Sequence, residues 1–85
     1  MGNPIVYRGL IDDTHDLNNI NDGIYYTNST YNPTNTPIGE YNNIIFQLSN
    51  PQRGDKVQIL FGCNSTKILL RFFNYTGKWL DWREL

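Results

Sequence analysis

The sole histidine and the sole cysteine are the first candidates for chemistry in this sequence: His15 and Cys63. A nucleophile triad or a zinc site needs several reactive groups in a fixed relation, and no Ser, Asp or Glu stands at a recognisable spacing from either residue. We expect His15 to be exposed or to lie at a helix start, and Cys63 to be an inert hairpin residue. We predict no catalytic residue, no metal site, no cofactor and no enzymatic activity, because acid–base catalysis requires a positioned titratable pair.

Aspartates cluster in the N-terminal third of the chain, at Asp12, Asp13, Asp16 and Asp22. A calcium loop needs oxygen ligands at alternate positions and a closing Glu, and this spacing provides neither. The cluster therefore predicts helix capping and solvation rather than a cation site.

Tyrosine and asparagine are better suited to binding than to catalysis. A tyrosine ring can stack on a sugar face while neighbouring amides offer paired donors and acceptors to hydroxyl groups. The candidate ligand-binding residues are Tyr31, Asn32, Asn35 and Tyr41. The alternative is that such rings cover a sheet edge or fill a subunit contact, since tyrosine is equally favoured in interfaces.

Charge and hydrophobicity exclude two classes of partner. The 85 residues carry a net charge of −1, with seven Lys and Arg among eight Asp and Glu. Nucleic-acid binding requires clustered cations, so we expect no nucleic-acid partner. The apolar runs fall far short of the roughly 20 residues of a membrane span, and no signal pattern opens the chain. We expect a soluble, unprocessed domain without a membrane partner.

The composition predicts strands joined by ordered loops, because Ala is absent and Asn is abundant. We expect one knob-like domain over residues 1–85, in which residues 1–15 form either a leader segment or an edge strand from Ile5 to Tyr7. Capping residues at 12–14, followed by Leu17 and Ile20, predict a short helix or turn. Pro and Gly in the stretch 28–42 predict one long surface loop.

Alternating apolar residues predict the sheet. Residues 24–27, 43–48, 56–61, 67–73 and 78–82 have strand character and short connections, which indicates a mainly β fold with an antiparallel meander of four to five strands. We expect the more apolar face to form the core beneath the N-terminal segment and the long loop. The side chains of that face are Ile44, Phe46, Leu48, Val57, Ile59, Phe61, Ile68, Leu70 and Phe72. Leu69 and Phe73 on the other face suggest cover by a loop, by Trp side chains or by another subunit.

Several short motifs occur in a familiar order. They are residues 16–20 followed by 23–26, the Asn35-Thr36-Pro37 loop, Gln58, Arg71, and the closing stretch 77–82 with its paired tryptophans. In this order the chain from Asp16 to Leu85 resembles the pyocin-knob domains of phage and phage-tail-like tail fibres.

The resemblance implies a non-enzymatic module of a homotrimeric fibre on a virion or phage-tail-like particle. Its role would be adsorption to a bacterial surface glycan or another receptor. Two alternatives stay open: a free-standing carbohydrate-binding module of a bacterial enzyme, or a purely structural spacer or trimerisation knob. We assign structural roles to Arg71, Trp79 and Trp82. The spacing of the tryptophans on one strand predicts opposite faces, with Trp82 in the core and Trp79 stacked on Arg71.

Overall fold

The structure, a computed structural model, describes residues 6–37 and 39–85. It contains one sheet whose strands follow one another in chain order. The elements are β1 (Tyr7–Leu10), a 3-10 turn (Leu17–Asn19), β2 (Gly23–Tyr26), β3 (Asn43–Ser49), β4 (Lys56–Gly62), β5 (Lys67–Phe73) and β6 (Arg83–Glu84). The prediction of a mainly β fold with an antiparallel meander is confirmed, with six strands in place of four to five.

The N-terminal segment supplies an edge strand. β1 pairs with β2 in parallel, with a register shift between Tyr7 and Gly9. It begins two residues later than predicted, and Ile5 lies outside the described residues. Because the two strands are parallel, the connection over residues 11–22 must cross the sheet from one end to the other. This crossover contains the 3-10 turn, where the side chain of Asp16 accepts a hydrogen bond from the Asn18 backbone N–H at 2.9 Å.

The crossover covers one face of the sheet and builds the core there. The buried apolar cluster combines crossover residues with sheet residues: Ile11, Leu17, Ile20, Tyr25, Ile45 and Leu60. Leu69 and Trp82 pack against it. We call this the covered face; between its apolar residues it also buries Gln47, Gln58 and Arg71.

The predicted orientation of the sheet was wrong, because the more apolar face is the uncovered one. The strand register places these side chains together: Tyr7, Leu10, Ile24, Tyr26, Ile44, Phe46, Leu48, Val57, Ile59, Phe61, Ile68, Leu70 and Phe72. Many of them are substantially exposed, from 36% for Phe61 to 64% for Tyr7. We call this surface the open face. Alternation separates two faces of a sheet without indicating which one the rest of the chain will cover.

Candidate functional site

Three polar side chains form a ladder across the middle of the covered face. Gln47 lies opposite Gln58, and Gln58 lies opposite Arg71, on three adjacent strands. Gln58 donates from Nε2 to Gln47 Oε1 at 2.8 Å and accepts at Oε1 from Arg71 Nε at 2.9 Å. The pairing of the three strands therefore places the two amides and the guanidinium group in one hydrogen-bonded row.

The ladder also attaches the crossover to the sheet. Gln47 Nε2 donates to the backbone carbonyl of Ile20 at 2.9 Å, and Gln58 Nε2 donates to that of Leu17 at 2.5 Å. These carbonyls lie at either end of the 3-10 turn, where backbone groups lack repeating partners. Buried polar groups are normally paired, and here the two amides supply the partners that the crossover backbone needs.

Arg71 lies against two tryptophan side chains at the end of the ladder. Only 5% of the residue is exposed, and its Cζ lies 4.2 Å from the ring centroid of Trp79 and 4.9 Å from that of Trp82. Burial lowers the pKa of Arg71 to about 10, and the nearby Asp16 carboxylate opposes that shift. The guanidinium is therefore still a cation at neutral pH. Each contact with an indole face is worth roughly 0.5–2 kcal/mol.

The two tryptophans lie on the same side of the sheet, which corrects the expectation of opposite faces. Trp79 forms an isolated bridge to Phe73, and β6 begins only at Arg83. The chain over 78–82 is therefore not a continuous strand, so simple alternation does not apply there. The contact between Trp79 and Arg71 is present. Trp82 packs against the core cluster, and its indole Nε1–H donates to the Asn35 carbonyl at 2.9 Å.

A cleft of about 540 Å³ opens beside this arrangement. It lies between the loop over residues 35–37 and the segment over 79–82, and we call it the Arg71 cleft. Its size falls within the range of roughly 300–1,000 Å³ that is usual for small-molecule sites. Asn18 and Arg71 line it, and each has a buried side-chain atom without a hydrogen-bond partner: Asn18 Oδ1 and Arg71 Nη2.

The structure does not bring the four predicted ligand-binding residues together. Asn35 lines the Arg71 cleft, and its Nδ2 donates to Asp16 Oδ1 at 2.7 Å. Asn32 uses its backbone N–H to bind Asp13 Oδ1 at 2.5 Å, and its side chain is outside the cleft. Tyr31 is half-buried and Tyr41 is 45% exposed, and neither lines the cleft. Their predicted role in ligand binding stays a prediction.

Sequence inspection missed Asn18 and Asp81 as cleft residues. In the sequence, Asn18 is noticed only as part of the motif over residues 16–20. No spacing rule predicts that it lies near Asp81, which is distant in the chain. The crossover places Asn18, and the return of the chain along β5 through the Phe73–Trp79 bridge and β6 brings Asp81 close to it.

The two residues first considered for chemistry both lie on the surface. His15 is exposed, with Nδ1 3.0 Å from Asp12 Oδ1, and Cys63 is also exposed. The hydrogen bonds from Thr14 are the main cause of the lowered pKa of Asp12. Over residues 6–37 and 39–85 there is no group of three His, Cys, Asp or Glu side chains placed to hold a metal ion. No helix in the same part of the chain is long and apolar enough to span a membrane.

Comparison with protein-family models, with curated proteins and with solved structures finds no match for this chain.

Proposed function

We propose that this chain is a non-enzymatic fibre module that assembles with copies of itself and contributes to adsorption of a phage or phage-tail-like particle to a bacterial surface. The observation that carries the proposal is the open face. The water-exposed face of an antiparallel sheet is normally the polar one, and here the exposed face is the apolar one.

The size of the open face supports a protein partner. Eight of its side chains are 36–64% exposed and the other five are partly buried. With roughly 150–200 Å² of surface on each side chain, they present on the order of 700 Å². The largest apolar patch on an ordinary monomer is about 300–600 Å². A stable interface of standard size buries about 800 Å² on each partner. The open face by itself thus provides the area that a specific interface needs.

The composition of the open face favours further copies of this chain as the partner. On β3, β4 and β5 the register produces three rows of apolar residues, and the central row is Phe46, Ile59 and Leu70. Among the described residues that are in register with this face, Arg83 is the one with a charge. Such a surface offers a single ionic group to select a different protein, whereas its apolar rows are complementary to a second surface of the same kind. The resemblance to pyocin-knob domains suggests three copies.

This arrangement would leave the covered face and its cleft pointing outward. The two faces lie on opposite sides of one sheet, so burying the open face at the centre of a fibre keeps the Arg71 cleft and the loop over 28–37 accessible. The assembly surface and the receptor-contact surface are therefore separate, as a fibre module requires.

Light scattering across a range of protein concentrations tests the proposal. We expect an oligomer for the wild type and a smaller species for Phe61→Lys, which puts a charge on the open face. Tyr75→Lys is the matched control, because Tyr75 is 79% exposed in a turn away from that face. Tryptophan fluorescence checks that each variant is folded. A wild-type protein that stays monomeric at all concentrations would contradict the proposal.

A free-standing carbohydrate-binding module is the second candidate, and the tryptophan-lined Arg71 cleft favours it. That candidate predicts a monomer that binds sugar, whereas a pure spacer predicts an oligomer that binds none. Oligomeric state and sugar binding, measured on the same preparation, separate the three functions.

A further inference from the structure

The two unpaired polar atoms at the Arg71 cleft specify the chemistry of a ligand. Arg71 Nη2 is a donor without an acceptor, and Asn18 Oδ1 is an acceptor without a donor. Both are shielded from solvent, and burying an unpaired polar group is costly. A ligand group that both accepts and donates a hydrogen bond would satisfy both atoms.

The charges around the cleft favour an uncharged ligand. The positive charge of Arg71 is opposed by Asp16, which affects the pKa of the guanidinium, and by Asp81 in the cleft wall. A carboxylate ligand would be repelled by Asp81 in the cleft wall, and it could not donate to Asn18 Oδ1. An ammonium ligand would face the buried guanidinium. A neutral group avoids both penalties.

The apolar part of the lining restricts the ligand further. Trp79, Leu80 and Trp82 stand beside the polar groups, together with Pro37 and Leu69. An acetamido group combines an N–H donor, a C=O acceptor and a methyl group, and therefore matches a site that has an acceptor, a donor and apolar surface. A sugar ring adds apolar C–H faces that pack on aromatic rings.

We propose that the Arg71 cleft binds an uncharged N-acetylated amino sugar. The acetamido C=O accepts from Arg71 Nη2, the acetamido N–H donates to Asn18 Oδ1, and the methyl group packs against indole. This inference rests on the proposed receptor-contact role of the module. The cleft is nevertheless formed within one chain, so its test is independent of self-association.

The two tryptophans provide the readout. Trp79 and Trp82 are the only tryptophans in the sequence, and their indole N–H groups give two separate NMR signals. The protein is titrated with N-acetylglucosamine, with glucose and with glucuronate in parallel. We expect saturable shifts of the indole signals with N-acetylglucosamine, binding at least several-fold weaker with glucose, and the weakest binding with glucuronate.

Asn18→Ala is the decisive variant, because Oδ1 of Asn18 forms no hydrogen bond in the fold and its removal should leave the structure intact. We expect this variant to bind N-acetylglucosamine about five- to tenfold more weakly, as loss of one buried hydrogen bond predicts. Tyr75→Ala, in an exposed turn outside the cleft, should bind like the wild type.

Three results would overturn the inference: no indole shift with any sugar, glucuronate binding as tightly as N-acetylglucosamine, or unchanged affinity in Asn18→Ala. Each of them would leave the light-scattering test of assembly unaffected. Conversely, a monomer that binds N-acetylglucosamine through Asn18 would support the cleft assignment and contradict the fibre proposal.

Discussion

Replacing Gln58 by leucine tests whether the polar ladder holds the two layers of the domain together. Leucine is close to glutamine in volume, so the change removes hydrogen bonds without opening a large cavity. Gln58 is fully buried, and it bonds with Leu17 of the crossover, Gln47 of β3 and Arg71 of β5. The substitution therefore affects the connection to the crossover and the position of the guanidinium at once.

The expected loss of stability in Gln58→Leu follows from the groups that lose their hydrogen-bond partner. The Leu17 carbonyl and Arg71 Nε lose the hydrogen bond with Gln58, as does Gln47 Oε1. Each buried group left unpaired costs about 1–3 kcal/mol, so the three groups together lead us to expect that Gln58→Leu lowers the free energy of unfolding by about 3–9 kcal/mol. That is a large part of the roughly 5–15 kcal/mol available to a domain.

Urea unfolding followed by tryptophan fluorescence measures the effect, at one fixed protein concentration because self-association adds to apparent stability. The matched control is Gln52→Leu, since Gln52 is exposed in the β3–β4 turn and should change stability by less than about 0.5 kcal/mol. The double variant Gln58→Leu/Arg71→Met removes both partners of the hydrogen bond between these residues. Its free energy of unfolding should therefore fall by less than the sum of the decreases in the two single variants. A Gln58→Leu protein as stable as the control would refute the role that we assign to the ladder.

Three further predictions concern single contacts. A methyl group at Gly62 would collide with the buried Glu40 carboxylate. Gly62→Ala should therefore lower the free energy of unfolding, measured in urea, by about 1–3 kcal/mol. An unchanged midpoint of urea unfolding would show that Glu40 is not held there. Hydrogen bonds, first from the Asn18 N–H and then from Asn35, lower the pKa of Asp16. Its carboxylate thus stabilises the fold above about pH 4, and that contribution is lost as the pH falls through the folded-state pKa. Asp16→Asn should therefore flatten the acid limb of a stability-versus-pH curve, and an identical limb would contradict this. Trp82→Phe keeps an aromatic ring but loses the hydrogen bond to the Asn35 carbonyl. We therefore expect the free energy of unfolding, measured in urea, to fall by about 1 kcal/mol. A midpoint of urea unfolding equal to that of the wild type would mean that this hydrogen bond contributes nothing.

Local sequence signals determined the strands and the turns between them. Alternation over 43–48, 56–61 and 67–73 located β3, β4 and β5, and the short polar connections between them implied antiparallel neighbours. Capping residues at 12–14, followed by Leu17 and Ile20, likewise indicated a short turn, although the residue that caps it is Asp16. These features depend on residues that are close together in sequence, which is why they were predictable from the sequence.

The tertiary structure alone decided which face of the sheet is covered and where the candidate site lies. A period of two is the same for both faces, so the alternation of Ile44 and Ile45 cannot indicate which of them the crossover will reach. The buried amides of Gln47 and Gln58 select the covered face, because the crossover carbonyls need donors and those donors lie on that side of the sheet. The same long-range pairing brings Asn18 to the cleft of Arg71 and leaves the apolar face exposed.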